Sequence, residues 1–224
     1  MKHHAKLSLF DLDNTLLDGD SDYCWAQYLI ERGILEREEY EKKNDWYYHH
    51  YKMGTLDIDE YLRFQLAPVA GRPRDEIDAW HREFMERKIR PIIHAGTPAL
   101  LAQHDGALKA IVTATNRFIT APIAEELGVP HLIACEVEEG PDRRLTGRAV
   151  GTPSFREGKI IRLREWLAGQ GYRLEDFDES WFYSDSRNDL PLLLLVSNPV
   201  AVDPDPVLQR YAEDHGWPIL RLRA

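Results

Sequence analysis

The sequence has little cysteine and no excess of positive charge, and both absences exclude classes of protein. Cys24 and Cys135 are the only cysteines. Both lie in apolar surroundings, so we expect two reduced, structural thiols and no disulfide framework. The chain has 28 lysines and arginines against 38 aspartates and glutamates, a net charge of −10. A free-standing nucleic-acid binder would need a basic face, so that class is not expected.

Long hydrophobic runs are also missing. No stretch approaches the roughly 20 apolar residues that a membrane-spanning helix requires. Asp11 and Asp13 interrupt the N-terminal apolar segment, so no signal peptide is predicted. We therefore expect a cytoplasmic protein without a membrane partner, either a monomer or a homodimer. The 224 residues suffice for one good-sized core, or for a core that carries an inserted domain.

Two regions of the chain differ in their hydrophobic periodicity. Between about residues 23 and 90, apolar and aromatic residues recur at three- and four-residue spacing, which predicts four helices. From Pro91 onward, short apolar runs alternate with helical segments, which predicts a parallel, doubly wound sheet. We predict a Rossmann-like α/β core formed by residues 1–16 and 91–224, with an all-helical insertion over residues 17–90.

Carboxylates follow the first predicted strand directly. The apolar run Leu-Ser-Leu-Phe ends at Asp11, and Asp13 comes one residue later. An apolar run bounded by polar residues predicts a buried strand. In open α/β sheets, ligands bind just beyond the carboxyl ends of the strands. An isolated pair of this kind is more often a turn than a site, so the later motifs decide the interpretation.

Three later segments also carry polar residues at the end of a predicted strand or at the start of a predicted helix. They are Val-Thr113-Ala114-Thr-Asn116, Gly158-Lys159, and Ser-Asp185-Ser-Arg-Asn188-Asp189. Together with Asp-Leu-Asp-Asn-Thr at residues 11–15, these segments resemble the four signatures of the haloacid dehalogenase (HAD) superfamily, in their usual order. The resemblance extends from residue 7 to about residue 203. It implies a Rossmann-like core with a C1 cap inserted after the first strand.

Phosphoryl transfer needs a nucleophile, neutralisation of phosphate charge, and a proton for the leaving oxygen. A carboxylate can accept a phosphoryl group, so Asp11 is the predicted nucleophile and would form an aspartyl-phosphate. Asp13 is the predicted general acid and, for hydrolysis of the intermediate, the general base. HAD dehalogenases lack the second aspartate, because a halide needs no proton. Asp13 therefore favours a phosphatase over a dehalogenase.

Several residues are expected to bind the transferring phosphate. The Thr113 hydroxyl and the Ala114 amide can donate to a phosphate oxygen, although Thr113 could also be an ordinary strand residue. Most lysines on helices are solvated. Lys159, however, matches the third signature of the superfamily, which implies that it neutralises the nucleophile and the phosphoryl group. Asn116 and Asn188 are expected nearby.

Clustered carboxylates also predict a metal. Asp185 and Asp189 would repel each other and Asp11 unless a cation lay among them. Mg²⁺ suits oxygen ligands and bridges to phosphate. The resemblance implies that Asp11, the backbone carbonyl of Asp13, and Asp185 are the ligands. Asp189 would hold a metal-bound water or orient Lys159.

Substrate preference is the least determined feature. The chain resembles the phosphoserine-phosphatase-like branch, subfamily IB, whose members place a glutamate nine residues after the nucleophile to bind an amino group. Asp20 occupies that position, with Asp22 close by. Carboxylates and an aromatic-rich insertion suit a small phosphomonoester with an amine and a ring. The chain is similar to HAD proteins with histidinol-phosphatase activity, so L-histidinol phosphate is the leading hypothesis. Phosphoserine phosphatase, phosphotransferase and non-catalytic phospholigand-binding module stay as alternatives.

Overall fold

A seven-stranded sheet forms the centre of the protein. The structure, a computed structural model, describes residues 6–223. The strands are β1 Lys6–Phe10, β2 Leu108–Asn116, β3 Leu132–Glu139, β4 Leu145–Val150, β5 Glu179–Ser184, β6 Asn198–Val202 and β7 Ile219–Leu220. Their order is β4-β3-β2-β1-β5-β6-β7. All neighbours are parallel except β3 and β4, which form an antiparallel hairpin. The predicted mostly parallel, Rossmann-like sheet is confirmed.

Helices cover both faces of the sheet. They are α1 Ser21–Glu31, α2 Arg37–Met53, α3 Ile58–Leu66, α4 Arg74–Phe84, α5 Thr97–Ala102, α6 Arg117–Glu126, α7 Glu157–Gly169, α8 Leu190–Leu193 and α9 Pro206–His215. Leu163, Leu192 and Leu208 of α7, α8 and α9 are buried on one face. The other face packs against α5, α6 and the helices between β1 and β2. Over residues 6–223, every helix is too short or too polar to cross a membrane.

β1 lies at the point where the order of the strands along the chain reverses. Its neighbours are β2 and β5, so the chain leaves β1 toward one side and returns to β5 on the other. A cleft opens at the carboxyl ends of the strands where such a reversal occurs. Leu9 and Phe10 are fully buried, and the ring of Phe10 stacks on Tyr183 of β5 at 5.1 Å. This packing fixes the position of the carboxyl end of β1 at the cleft.

The four helices α1 to α4 all lie between β1 and β2 in sequence. Asp20 begins α1 by accepting a hydrogen bond from the Tyr23 amide at 2.8 Å. Gly54 ends α2 in the left-handed conformation, at φ 71°, which glycine adopts without steric cost. Trp25 of α1 is buried against Phe118 of α6, with ring centroids 5.5 Å apart. The division of the chain into a core and a cap stays a prediction, and the first five residues of the predicted core lie outside the described part.

His81 of α4 is a buried imidazole that packs against aromatic rings. Its ring lies 4.2 Å from that of Phe118 and 5.2 Å from that of Trp25, and its Nε2 has no hydrogen-bond partner among the described residues. Burial, assisted by the nearby positive charge of Arg74, lowers the pKa of His81 from 6.5 to about 4. The folded protein therefore keeps this imidazole neutral.

We expect His81→Phe to flatten the dependence of stability on pH. The unfolded chain protonates His81 below pH 6.5 and the folded chain does not until about pH 4, so stability is lost as pH falls through this window. At pH 5 the loss from this residue is about 2 kcal/mol, from 1.5 pKa units at 1.36 kcal/mol each. Urea unfolding at pH 7 and pH 5 measures it. An equal change in stability between the two pH values in wild type and in His81→Phe would contradict the prediction.

Candidate active site

Asp11 lies at the carboxyl end of β1 and is tied to the end of β5. Its amide donates to the Tyr183 carbonyl at 2.9 Å, and the residue is only 6% exposed. The Thr15 hydroxyl lies 3.3 Å from Asp11 Oδ2 and 3.4 Å from Asp185 Oδ1, and it accepts the Asp185 amide proton. Thr15 therefore bridges the Asp11 carboxylate and the Asp185 backbone amide, which are 174 positions apart in the chain. Thr15 belongs to the first motif, but its position in the sequence does not indicate this contact.

Lys159 forms two buried ion pairs. Its Nζ lies 2.8 Å from Asp11 Oδ1 and 2.7 Å from Asp189 Oδ2, and its side chain is 3% exposed. Burial by itself would lower the pKa of Lys159, but the two carboxylates raise it above its ordinary value, so the amine is a cation. Asp189 also accepts from the Ser184 hydroxyl at 2.7 Å. The solvated-helix interpretation of Lys159 is therefore wrong, and Asp189 is in position to orient it.

Gly158 explains how the chain brings Lys159 into the cleft. A Cβ at this position would collide with the backbone carbonyl of Pro153, so the loop before α7 closes only around a glycine. Arg156 in the same loop has φ 52° and ψ −123°. Few non-glycine residues adopt this conformation, which costs on the order of 1–3 kcal/mol. The loop is thus tightly constrained immediately before the lysine.

We expect Gly158→Ala to lower both stability and turnover. The added methyl group must displace the Pro153 carbonyl, at a cost of about 1–3 kcal/mol. A shift of about 1 Å at Lys159 would lower kcat on the order of 100-fold. Gly169→Ala is the matched control, because a Cβ at Gly169, at the other end of the same helix, meets no atom within 4 Å. Steady-state kinetics and thermal unfolding of both variants test this, and equal behaviour would contradict it.

Asp13 is held by hydrogen bonds to both of its carboxylate oxygens. Oδ1 accepts from the Ser21 amide at 2.7 Å, and Oδ2 accepts from the Thr115 hydroxyl at 2.8 Å. Burial and then the nearby charge of Asp20 raise the pKa of Asp13, while the hydrogen bonds from Ser21 and Thr115 oppose that shift. A raised pKa favours a carboxyl group that can carry a proton to a leaving group.

The second motif extends further along β2 than we predicted. The apolar run that begins at Leu108 predicts a strand ending at Thr113, but the strand runs to Asn116. The Thr113 hydroxyl accepts from the Thr115 amide at 3.1 Å and lies 3.5 Å from Asp13 Oδ2. Ala114 is half-buried at this edge and packs against a cluster that contains Phe155. Asn116 differs from the prediction that it binds phosphate, because its side chain is fully buried and accepts the Ile119 amide as the cap of α6.

Asp185 and Asn188 follow β5. Burial, together with the charges of Asp11 and Asp189, raises the pKa of Asp185 well above its ordinary value. The side-chain amide of Asn188 donates to the Tyr51 carbonyl at 3.2 Å and accepts from Arg156 at 3.4 Å. Asn188 therefore joins the last turn of α2 to this edge of the sheet, and its predicted contact with phosphate stays a prediction.

The end of α2 makes further contacts with the same loops. The Tyr51 hydroxyl donates to Ser186 at 2.9 Å, and the Arg156 guanidinium donates to the Gly54 carbonyl. A Cβ at Gly54 would lie 2.7 Å from the tip of Arg156. The loop before α7, which leads to Lys159, and the loop after β5, which carries Asp185, thus both contact the end of α2.

Asp20 and Asp22 stand at the entrance to α1. Asp20 caps the helix and is half-buried. Asp22 is 3% exposed and faces three neutral donors, the Thr115 hydroxyl at 3.1 Å, the Tyr61 hydroxyl at 3.4 Å and the Asn116 amide at 3.5 Å. No cation pairs with Asp22 within residues 6–223. Burial, and then the charges of Asp20 and Asp13, raise the pKa of Asp22 well above its ordinary value.

The oxygen ligands predicted for Mg²⁺ are chemically suitable, but few of them come from side chains. Within the described part of the chain, no three side chains of His, Cys, Asp or Glu converge as a metal site would require. The predicted set needs only two, Asp11 and Asp185, with the backbone oxygen of Asp13 as the third ligand. Thr15 bridges the Asp11 carboxylate and the Asp185 backbone amide. Burial, and then the neighbouring carboxylates, raise the pKa of both groups, while Lys159 opposes the shift.

A carboxylate at the end of β1 pairs with a buried lysine, and further carboxylates lie beside it where the strand order reverses. This arrangement defines a hydrolase site of the phosphoryl-transfer type. Comparison with known proteins agrees with this class. The profile of the haloacid dehalogenase-like hydrolases matches residues 8–194. The chain belongs to this family.

Individual relatives are similar over nearly the whole chain. A histidinol-phosphatase of Neisseria meningitidis is 45% identical over 219 residues, covering 97% of this chain and 99% of the relative. A phosphoserine phosphatase of Mycobacterium tuberculosis is 31% identical, covering 96% and 70%. The crystal structure of a Bordetella pertussis protein of unknown function superposes with a TM-score of 0.91 at 47% identity, covering 97% and 99%. A substrate-bound phosphoserine phosphatase superposes at 0.67 with 20% identity, covering 96% and 92%, which shows the shared fold.

These findings confirm the superfamily, the fold class and the expectation of a phosphatase. The individual roles of the site residues stay predictions. The structure brings Asp11, Lys159, Asp185 and Asp189 together at one edge of the sheet, with Asp13 and Thr113 beside them. It also adds Thr15 and Thr115, which the sequence had not marked.

Proposed function

We propose that this protein is a Mg²⁺-dependent phosphomonoester hydrolase that acts through an aspartyl-phosphate on Asp11, with L-histidinol phosphate as the preferred substrate. One observation carries the mechanism: Lys159 is buried between Asp11 and Asp189. A lysine placed there balances the charge of the nucleophile before reaction and that of the phosphoryl group after transfer.

The reaction has two displacements at phosphorus. An oxygen of Asp11 attacks the phosphorus atom, the ester P–O bond breaks, and the departing oxygen takes a proton from Asp13. Water then attacks the phosphorus of the aspartyl-phosphate and gives a proton back to Asp13. The bond between phosphorus and Asp11 breaks, inorganic phosphate leaves, and the Asp11 carboxylate is regenerated.

Asp11, Asp185 and the backbone oxygen of Asp13 would hold the Mg²⁺ ion. When bound, Mg²⁺ supplies positive charge to the phosphate oxygens and to the clustered carboxylates. The Thr113 hydroxyl and the Ala114 amide would donate to phosphate from β2. Residues 17–90 would act as a cap over this edge of the sheet and exclude water during the reaction.

The substrate assignment depends on charge and on the relatives. Asp20 and Asp22 offer carboxylates for an ammonium group, and Asp22 has no cationic partner within the described residues. Histidinol phosphate carries an amine and an imidazole but no carboxylate. The relative from Neisseria meningitidis that is named a histidinol-phosphatase spans nearly the entire chain at 45% identity.

Arg156 favours phosphoserine as a second candidate. Its guanidinium donates to the Gly54 carbonyl and the Asn188 side-chain oxygen and lies 5.1 Å from the centre of the Phe155 ring, and it forms no ion pair among residues 6–223. A free carboxylate on the substrate would suit such a cation. The relative from Mycobacterium tuberculosis named as a phosphoserine phosphatase is consistent with this candidate.

Phosphate release from a panel of phosphomonoesters, with Mg²⁺ and with chelator, tests the proposal. The panel contains histidinol phosphate, phosphoserine and a phospholipid head-group phosphate. Preference for histidinol phosphate that disappears with chelator supports the proposal, and equal or better turnover of phosphoserine overturns the substrate assignment. Phosphate transfer to an added alcohol without free phosphate would indicate a phosphotransferase. Binding of phosphomonoesters without turnover would indicate a phospholigand-binding module.

A further inference from the structure

A chain of buried and partly buried hydrogen bonds connects α3 to Asp13. The Gln65 amide donates to the Tyr61 oxygen at 2.7 Å, and the Tyr61 hydroxyl lies 3.4 Å from Asp22 Oδ2. The Thr115 hydroxyl lies 3.1 Å from the same Asp22 oxygen and 2.8 Å from Asp13 Oδ2. Gln65, Asp22 and Thr115 are each at most 5% exposed. Tyr61 and Asp13 are half-buried, and the network joins the inserted helices to the predicted general acid.

The direction of these hydrogen bonds follows from the number of protons available. A threonine hydroxyl has one proton and can donate to one acceptor at a time, yet Thr115 lies between two carboxylates. Because the Tyr61 oxygen accepts from Gln65, its own proton is available for Asp22. Asp22 then has a donor other than Thr115, and the Thr115 proton goes to Asp13, which is nearer at 2.8 Å than Asp22 at 3.1 Å.

Thr115 determines whether Asp13 is held at one oxygen or at two. The Ser21 amide fixes Oδ1 at 2.7 Å, and Thr115 fixes Oδ2. Without the Thr115 hydroxyl, the carboxyl group can rotate about its remaining hydrogen bond. A general acid that is free to rotate spends less time aimed at the leaving oxygen, and small losses of alignment reduce rates strongly.

We propose that Thr115 is a positioning residue for Asp13, and that Tyr61 and Gln65 of α3 direct its hydroxyl toward Asp13 by satisfying Asp22. The inference rests on the proposed function, in which Asp13 protonates the leaving group. It assigns to α3 a part in the chemistry beyond covering the site.

Two variants, Thr115→Val and Thr115→Ser, distinguish the effect of the hydroxyl group from the effect of the side-chain shape. We expect Thr115→Val to lower kcat about 10- to 100-fold on histidinol phosphate, an alkyl ester whose leaving group needs a proton. On 4-nitrophenyl phosphate, whose leaving group needs none, the loss should be less than about 3-fold, with KM little changed on both. Thr115→Ser restores the hydroxyl and should stay within about 3-fold of wild type.

Tyr61→Phe tests the contribution of α3. It removes only the hydroxyl, so Asp22 then competes for the Thr115 proton. We expect a loss of roughly 3- to 10-fold in kcat on histidinol phosphate, a smaller loss on the aryl ester, and no additivity with Thr115→Val. Tyr48→Phe is the matched control, because Tyr48 is 51% exposed on α2, and it should change neither rate.

Two results would overturn the inference. Equal losses on the alkyl and aryl esters in Thr115→Val would indicate a merely structural role. If the double variant Asp13→Asn, Thr115→Val had a lower kcat than Asp13→Asn alone, Thr115 would not act through Asp13. Thermal unfolding of each variant checks folding. If the wild-type protein hydrolyses another alkyl phosphate instead, only the substrate assignment is wrong. The variants are then compared on that ester and on 4-nitrophenyl phosphate. Wild type without any hydrolysis overturns the proposed function and this role with it.

Discussion

Asp11→Asn will abolish phosphate release, with a loss on the order of 10⁴-fold or more in kcat, because the variant has no nucleophile to accept the phosphoryl group. The amide keeps the size of the side chain, and Lys159 keeps its ion pair with Asp189. Burial and the neighbouring carboxylates raise the pKa of Asp11 despite Lys159, so its charged form is destabilising when no metal is bound. We therefore expect the variant to be at least as stable as wild type in the presence of chelator.

Single-turnover phosphate release and thermal unfolding measure the two effects of Asp11→Asn. Asp18→Asn is the control, because Asp18 belongs to the same polar segment but is exposed and pairs with Arg223 at the surface. It should retain full activity. Near-wild-type turnover in Asp11→Asn would contradict the aspartyl-phosphate mechanism. Lost activity together with a large loss of stability would show that the carboxylate is needed for folding.

We expect Asp13→Asn to reduce the rate of hydrolysis more for esters whose leaving group needs a proton than for esters whose leaving group needs none. An asparagine can accept from the Ser21 amide and still contact Thr115, so the local structure should persist. The variant cannot supply a proton, and general acid catalysis contributes about 10²- to 10⁴-fold. We expect that loss in kcat/KM on histidinol phosphate, and a loss within about 10-fold on 4-nitrophenyl phosphate.

Kinetics on the two esters decide whether Asp13 is the acid. A plot of the logarithm of the rate against leaving-group pKa, over several aryl and alkyl phosphates, should be steeper in Asp13→Asn than in wild type. Equal losses on all esters would contradict the acid role and would favour a contribution of Asp13 to binding alone. The same set of esters serves for the Thr115 variants, so the two results can be compared directly.

The positions of the main carboxylates were predictable because each follows a strand whose pattern is local. A short apolar run ending at Asp11, and another ending near Asp185, identify two strand ends without any knowledge of their neighbours. Parallel strands bring their carboxyl ends to one edge, so the meeting of these residues also followed from the predicted fold. Lys159 was identified through the resemblance to the superfamily. Its burial between two carboxylates became visible only in the structure.

Asn116 shows where local reasoning failed. The polar residues after Val112 marked the end of a strand, but the strand continues for three residues beyond Thr113. The asparagine therefore caps the following helix instead of facing the cleft. Both roles suit an asparagine that precedes a helix, and only the register of β2 against its neighbours distinguishes them.

The fold class, the family and the chemical type of the site were all predictable from the sequence, because strand periodicity and the spacing of carboxylates are encoded over a few residues. Tertiary structure alone decided which hydroxyls hold those carboxylates. Thr15 reaches Asp185 across 170 positions, and Thr115 reaches Asp13 across 102. Such contacts depend on the register between strands and on how the helices pack against them, and neither leaves a local pattern in the sequence.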